Sequence, residues 1–173
     1  MRLKILIPAA VAVATGFVAG CASNAGTRGN IAVTLEPRSG STVSGSMHIT
    51  ERNGVVRLRG TVTGLAPNSE HGFHIHEKGD CSAPDASSAG GHFNPDGSAH
   101  GSHSAPVHHA GDLPSLKADA KGIAKIDVTL SGVTLGSGPT GIIGRSLVVH
   151  GKADDFTSQP SGNSGPRVAC GVI

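Results

Sequence analysis

From Val56 to Thr63 the chain alternates without a break. Val56, Leu58, Gly60 and Val62 fall on one parity, and Arg57, Arg59, Thr61 and Thr63 on the other. Side chains two apart on a strand share a face, so this stretch reads as a strand with one dry surface and one wet one. Asn53-Gly54 separates it from Ser46–Thr50. That dipeptide is a strong hairpin signal, because both central residues of the favoured turn need positive φ. The alternation recurs at Ile31, Val33 and Leu35, and again at Ala124, Ile126, Val128 and Leu130 after a turn at Lys121-Gly122. Leu147–His150 and Val168–Val172 read as two more short strands. Helical periodicity is hard to find. About seven or eight short antiparallel strands with one wet face each predict an all-β sandwich or flattened barrel. Residues 78–113 and 154–166 lack any pattern, and long unpatterned segments in a compact domain are usually functional loops.

The first residues read differently. Arg2 and Lys4 precede an apolar run, Ile5 to Val18, which ends in Val18-Ala19-Gly20-Cys21. The run is too short for a membrane span and closes on small residues, so residues 1–20 are expected to be an export signal. The last four residues resemble a lipoprotein box, in which Cys21 becomes the lipidated first residue of the mature chain. The alternative is ordinary cleavage nearby, with Cys21 lost or left free. Residues 21–29 read as a flexible tether and 30–173 as one domain. The expected location is the periplasmic or cell-surface side of a membrane, with the domain tethered there by its lipid. Setting Cys21 aside leaves Cys81 and Cys170, which export into an oxidising space should join as a disulfide. A formal charge of +2, no long basic run and no Trp or Tyr argue against nucleic acid as a partner. Phe73, Phe93 and Phe156 are the aromatics left after the signal, which favours a monomer or a weak homodimer.

The chemistry concentrates in Gly72–Asp80, GFHIHEKGD. On a strand His74 and His76 share one face while Phe73 and Ile75 share the other, so two imidazoles about 6–7 Å apart along the strand point away from the core. His92, His100, His103, His108 and His109 follow in the first long loop with Asp112 just after, and His150 ends the strand Leu147–His150. Imidazole suits copper and zinc, and a carboxylate can complete a zinc tetrahedron. Any one loop histidine is better read as a solvated side chain, but so many beside a His-x-His strand point to a metal centre. His71 reads as a polar residue at the strand entrance and His48 as exposed.

GFHIHEKGD, AGGHFNPDGSAH, HHAGDLP, GRSLVVHGKADD and GPRVACGVI, in this order, resemble copper–zinc superoxide dismutase over nearly the whole mature chain. The resemblance implies an eight-stranded Greek-key fold and dismutation of superoxide. It implies copper on His74, His76, His92 and His150, and zinc on His92, His100, His109 and Asp112, with His92 as the bridge. Asp154 matches the carboxylate that orients one ligand of each metal. Arg167 matches the arginine that draws the anion to the copper. Of the adjacent pair, His109 rather than His108 keeps the family spacing, leaving His108 and His103 as extras. Phe156 to Pro166 carries no charged side chain, unlike the steering loop of animal relatives, so Lys78 or Lys152 is expected to assist Arg167. A competing reading is an exported copper and zinc buffer without catalysis.

Overall fold

The computed structural model describes residues 29–173, which form nine strands. They are β1 Gly29–Pro37, β2 Ser44–Arg52, β3 Val55–Thr63, β4 Glu70–His71, β5 Phe73–His76, β6 Leu116–Lys117, β7 Ala124–Leu130, β8 Ser146–His150 and β9 Arg167–Val172. Seven make one antiparallel sheet in the order β5-β8-β9-β1-β2-β3-β7, and β4 pairs with β6 alone. The all-β antiparallel architecture is as expected, with seven strands in the curled sheet and a separate ribbon too short to show any period. Residues 1–20, Cys21 and the tether up to residue 28 lie outside the described residues. Gly29, expected in the tether, opens β1 and pairs with Glu51.

The sheet curls until its ends share one core. Phe73 and Ile75 of β5, at one edge, join the same buried cluster as Leu130 and Ala124 of β7, at the other. The hairpin forms where the sequence places it: Asn53 and Gly54 take φ of 51° and 77°, and β2 and β3 pair from Ser44↔Thr63 to Arg52↔Val55. Inside, Met47 lies opposite Gly60. A Cβ on Gly60 would run into the Ser46 carbonyl and the Met47 sulfur, and would lie 2.9 Å from the Met47 Cα. Backbone cannot step aside within a paired strand, so Gly60→Ala is expected to cost about 1–3 kcal/mol, the usual penalty of overpacking. An unchanged urea midpoint would show that the pairing can yield.

The one-wet-face expectation holds for β3 and fails for β5 and β8, whose residues are all buried. The cause is the two long loops. Residues 77–115 contain only a 3₁₀ turn, Ser87–Ala89, and residues 151–166 contain no strand or helix. Both lie over the outer face of β5 and β8, so His74 and His76 point away from the core yet reach almost no solvent. The Cys81–Cys170 disulfide is formed, with a Cα separation of 5.8 Å across 89 positions of sequence. It fastens the first loop to β9. Closing so long a loop removes about 4–5 kcal/mol of unfolded-chain entropy.

Candidate metal centre

β5 is an edge strand, and the first long loop is stitched to its free edge. Ile75 N–H donates to the Gly111 carbonyl at 2.8 Å, Phe93 N–H to Ile75 at 2.8 Å and Gly111 N–H to Phe93 at 2.8 Å. His76 thereby faces His92, and His74 faces Asp112, across single bridges. A register shift between Val149 and His150 in the β8–β9 pairing re-aims the last residue of β8 toward the same place. Sites distant in sequence are brought together by ordinary ladder bonds.

Two groups of donor atoms result, and they share His92. His74, His76, His92 and His150 form one, and His92, His100, His109 and Asp112 the other, each with its ligand atoms within 4.8 Å of one another. In the first group every ring has its outer nitrogen engaged, that of His92 by Asp112 at 3.0 Å. His74 Nε2 meets Asp154 Oδ2 at 2.7 Å, His76 Nδ1 donates to the Gly90 carbonyl at 2.9 Å and His150 Nδ1 to Gly165 at 3.3 Å. Those bonds place the proton on the outer nitrogen and leave a lone pair on the inner one. His76 Nε2 and His150 Nε2 then face each other lone pair to lone pair at 3.3 Å. His74 Nδ1 and His92 Nε2 are buried without any hydrogen-bond partner. Converging unprotonated nitrogens repel unless a cation lies among them, so this donor set fits a metal ion.

The second group is tighter. Asp112 Oδ1 lies 3.0 Å from His92 Nδ1, 3.0 Å from His100 Nδ1 and 3.4 Å from His109 Nδ1, while His109 Nδ1 and His92 Nδ1 are 3.3 Å apart. A tetrahedron with ligands 2.0–2.1 Å from its centre has edges of about 3.3–3.4 Å. Three nitrogens and one oxygen at that spacing suit zinc. Asp154 joins the two groups from outside: its Oδ1 meets His100 Nε2 at 2.9 Å while its Oδ2 holds His74. It orients one ring of each group.

A family model described as copper/zinc superoxide dismutase (SODC) matches residues 43–173. The chain belongs to the copper/zinc superoxide dismutase family. "Superoxide dismutase [Cu-Zn] 2" of Aquifex aeolicus is 43% identical over 135 residues, 76% of this chain and 79% of that one. The Saccharomyces cerevisiae superoxide dismutase is 46% identical over 118 residues, 65% of this chain and 75% of the relative. Among solved structures, a SOD-like protein from Bacillus subtilis superposes with a TM-score of 0.74 at 37% identity, covering 82% of this chain and 97% of that one. The clock protein EA4 gives 0.72 at 42% identity, over 82% of this chain and 91% of its own. Copper and zinc are accordingly the cofactors of this superoxide dismutase, and superoxide is its substrate.

Burial sets the charge state of the rings. Desolvation, aided by neighbouring His92, lowers the His74 and His76 pKa well below the usual histidine value. Desolvation brings His150 down to about 4 against the pull of its Gly165 bond. Desolvation also lowers His109, more than Asp112 raises it. Burial alone would raise Asp112, but His92 and the backbone N–H groups of Gly101 and His109 outweigh it and hold the carboxyl well below the usual range. At neutral pH His74, His76, His109 and His150 are therefore neutral imidazoles and Asp112 is an ionised carboxylate, the protonation state that metals require.

The superoxide dismutase opens to solvent through a cleft of about 460 Å³ beside the first group, lined by His76, His92, His150, Asn94, Gln159 and Arg167 among others. Arg167 is the one permanently charged residue in that lining. Its guanidinium is held by the Ala86 carbonyl at 2.7 Å and the Gly90 carbonyl at 2.6 Å. The Gly90 oxygen thus fixes both Arg167 and His76. Lys78 and Lys152 are exposed, and neither lines the cleft.

His103 and His108 stay outside both groups; their Nδ1 atoms donate to the Asp112 and His109 carbonyls at 2.9 and 2.7 Å. His48 is exposed. His71 is buried, donating to the His150 carbonyl at 2.8 Å and accepting from the Ser69 hydroxyl at 2.7 Å. Sequence reasoning missed Gln159. Its Oε1 accepts from His100 N–H at 2.8 Å and its Nε2 donates to the His100 carbonyl at 3.0 Å, so one amide grips both backbone groups of a ring-bearing residue. No motif or period marks it. Gln159→Leu leaves both groups unpaired, and zinc retention against a chelator is expected to fall about tenfold, in the range seen for lost supports of metal ligands. Equal zinc retention in the variant would show that the grip is incidental.

Proposed function

We propose that this superoxide dismutase acts outside the cytoplasm, with copper on His74, His76, His92 and His150 and zinc on His92, His100, His109 and Asp112. The observation that carries the assignment is the position of His92. Each of its ring nitrogens faces a different donor set, one all imidazole beside an open cleft and one including a carboxylate. Copper supplies one-electron exchange by alternating between +2 and +1, whereas zinc has no redox chemistry and is structural and electrostatic.

The chain's own residues do the rest. Two superoxide anions and two protons become oxygen and hydrogen peroxide. Arg167 receives the anion in the cleft, permanently charged and needing no proton of its own. His92 Nε2 makes no hydrogen bond within the protein and its ring borders the cleft, so this nitrogen can alternate between metal ligand and proton carrier and would deliver a proton to the peroxide product. Asp154 keeps His74 and His100 in the tautomer that directs a lone pair inward.

Export through residues 1–20 and lipid on Cys21 are part of the same proposal, placing the domain on the periplasmic or cell-surface side of a membrane. The basic, apolar and small-residue order of the first residues supports this, and so does a disulfide, which persists in oxidising compartments. The scarcity of aromatics supports a monomer or weak homodimer. A copper and zinc buffer would share the ligands. It has no use for an arginine held over an open cleft, so Arg167 favours catalysis. Metal analysis with a superoxide decay assay on the purified protein separates the two. One copper and one zinc per chain with accelerated decay is expected. Full metal loading without acceleration would leave the buffer.

A further inference from the structure

Charge is segregated on this fold in a way the reaction does not use. Of the fourteen Lys and Arg, Arg2, Lys4 and Arg28 precede the described residues, leaving eleven against twelve Asp and Glu, all of which follow residue 28. Four of the eleven, Arg52, Arg57, Arg59 and Lys125, are exposed on the outer face of β2, β3 and β7. Register puts them in neighbouring rows: Arg57 beside Thr50 and Thr129, Arg59 between His48 and Asp127, and Lys125 beside Thr61. Asp127 is the one acid among them, and Arg57 claims it at 2.6 and 2.7 Å. Glu36, at the far end of β1, is paired with Arg38. This face therefore carries three net positive charges while the remaining side chains of the domain carry four net negative ones.

The rest of the face is mostly polar, with Ala32 and Val55 its apolar members. Asn30, Thr34, Ser46, Thr50 and Thr129 lie on it, and Arg59, Lys125, His48 and Thr61 rim a shallow groove over Gly60. Such a face is cationic without being apolar, so it suits a diffuse anionic surface better than a protein interface core. Two further observations choose the surface. The metal groups are built on β5, β8 and the loop stitched to β5, at the other end of the sheet order, so what covers β2, β3 and β7 leaves the cleft open. Residues 1–28 join the domain at Gly29, the first residue of β1, which is hydrogen-bonded to β2. The chain therefore enters the domain beside β2, one of the strands that carry this face.

We propose that the β2–β3–β7 face docks on the anionic headgroups of the membrane that holds the chain, turning the active-site cleft toward the solvent. The proposal rests on the placement at a membrane argued above. One acyl anchor sets where the domain is, and the basic face sets which way it points.

The test uses metal-loaded protein beginning at Ala22, which keeps every described strand but has no Cys21 to acylate. Its partition is measured at low salt onto vesicles of phosphatidylcholine alone and of phosphatidylcholine with phosphatidylglycerol. At least tenfold stronger binding to the anionic vesicles is expected, lost as salt approaches 0.5 M. Removing two of the cations in R59Q/K125Q is expected to weaken it about 30-fold. The control K78Q/K152Q, with the same change of net charge on the segments that follow β5 and β8, keeps the binding. Circular dichroism and bound metal confirm that both variants are folded. Equal partition onto neutral and anionic vesicles overturns the proposal, including the case where the protein binds only an anionic polysaccharide. An equal loss in the control variant also overturns it, because net charge alone would then explain the binding. Acylation of Cys21 is read separately from the mass of the membrane-extracted chain, so failure of the anchor and failure of the docking face are distinct results.

Discussion

Replacing Arg167 with glutamate is expected to lower kcat/KM for superoxide by about 100-fold, within the 10–10³ range over which focused charge alters encounter rates. The cause is local. Of the residues that line the cleft, Arg167 alone carries a permanent charge, and the loop from Phe156 to Pro166 beside it carries none. Burial lowers the Arg167 pKa, opposed by Asp85, and a group that starts so high still keeps its charge. A glutamate here turns attraction into repulsion and releases the Ala86 and Gly90 carbonyls that Arg167 holds. The salt dependence should invert: screening slows the wild-type enzyme and speeds the variant. Arg167→Lys keeps the charge but cannot span both carbonyls, so its loss should be intermediate and its salt slope should keep the wild-type sign. Copper content in both variants should match wild type, since Arg167 is no ligand. A charge-reversed enzyme with an unaltered rate at low salt would place the steering elsewhere, with Lys78 and Lys152 next in line.

What the sequence made legible follows from period. His74 and His76 could be placed together because a two-residue repeat dictates a shared face, and Val56, Leu58 and Val62 could be placed in the core for the same reason. Glu51 shows the limit. Its parity puts it inside with Met47 and Ile49, where a carboxylate would be costly, and only the structure shows Leu135 N–H donating to it at 2.8 Å. It pins the irregular segment between β7 and β8, which the sequence pattern did not single out. The candidate loop ligands His92, His100, His109 and Asp112 have no period: their number pointed to a metal centre, but their selection over His103 and His108 came from the family resemblance. Their convergence depends on ladder bonds between Ile75, Phe93 and Gly111, which are backbone groups and leave no mark in side-chain pattern. The same holds for Gln159 and for the Gly90 carbonyl. The burial of His74 and His76 was illegible too, since it belongs to loops that fold over a strand from far along the chain.

Those buried rings give the metal-free protein a specific weakness to acid. His150 has a pKa of about 4 when folded, against an ordinary value of 6.5, because desolvation disfavours its charged form. Between these two values the unfolded chain binds the proton and the folded chain does not, so stability rises with pH across the window. The contribution is complete above about 6.5 and is lost as pH falls through about 4. Each tenfold change in proton affinity is worth about 1.4 kcal/mol, so His150 alone accounts for about 3 kcal/mol. His74 and His76 are lowered for the same cause and act in the same direction. Asp112, held low when folded, loses its contribution only at still lower pH and does not offset them. With the disulfide intact, the urea midpoint of the apoprotein is therefore expected to fall by about 1–3 M between pH 7 and pH 4.5, given typical denaturant slopes. His150→Gln should flatten that profile by the share of one proton while leaving the fold in place. Bound metal competes with protons for the same nitrogens, so loading copper and zinc should move the whole transition to lower pH. A midpoint independent of pH from 7 to 4.5 in the apoprotein would mean that the rings are solvated, and with them the enclosure of the centre by its two loops would be refuted.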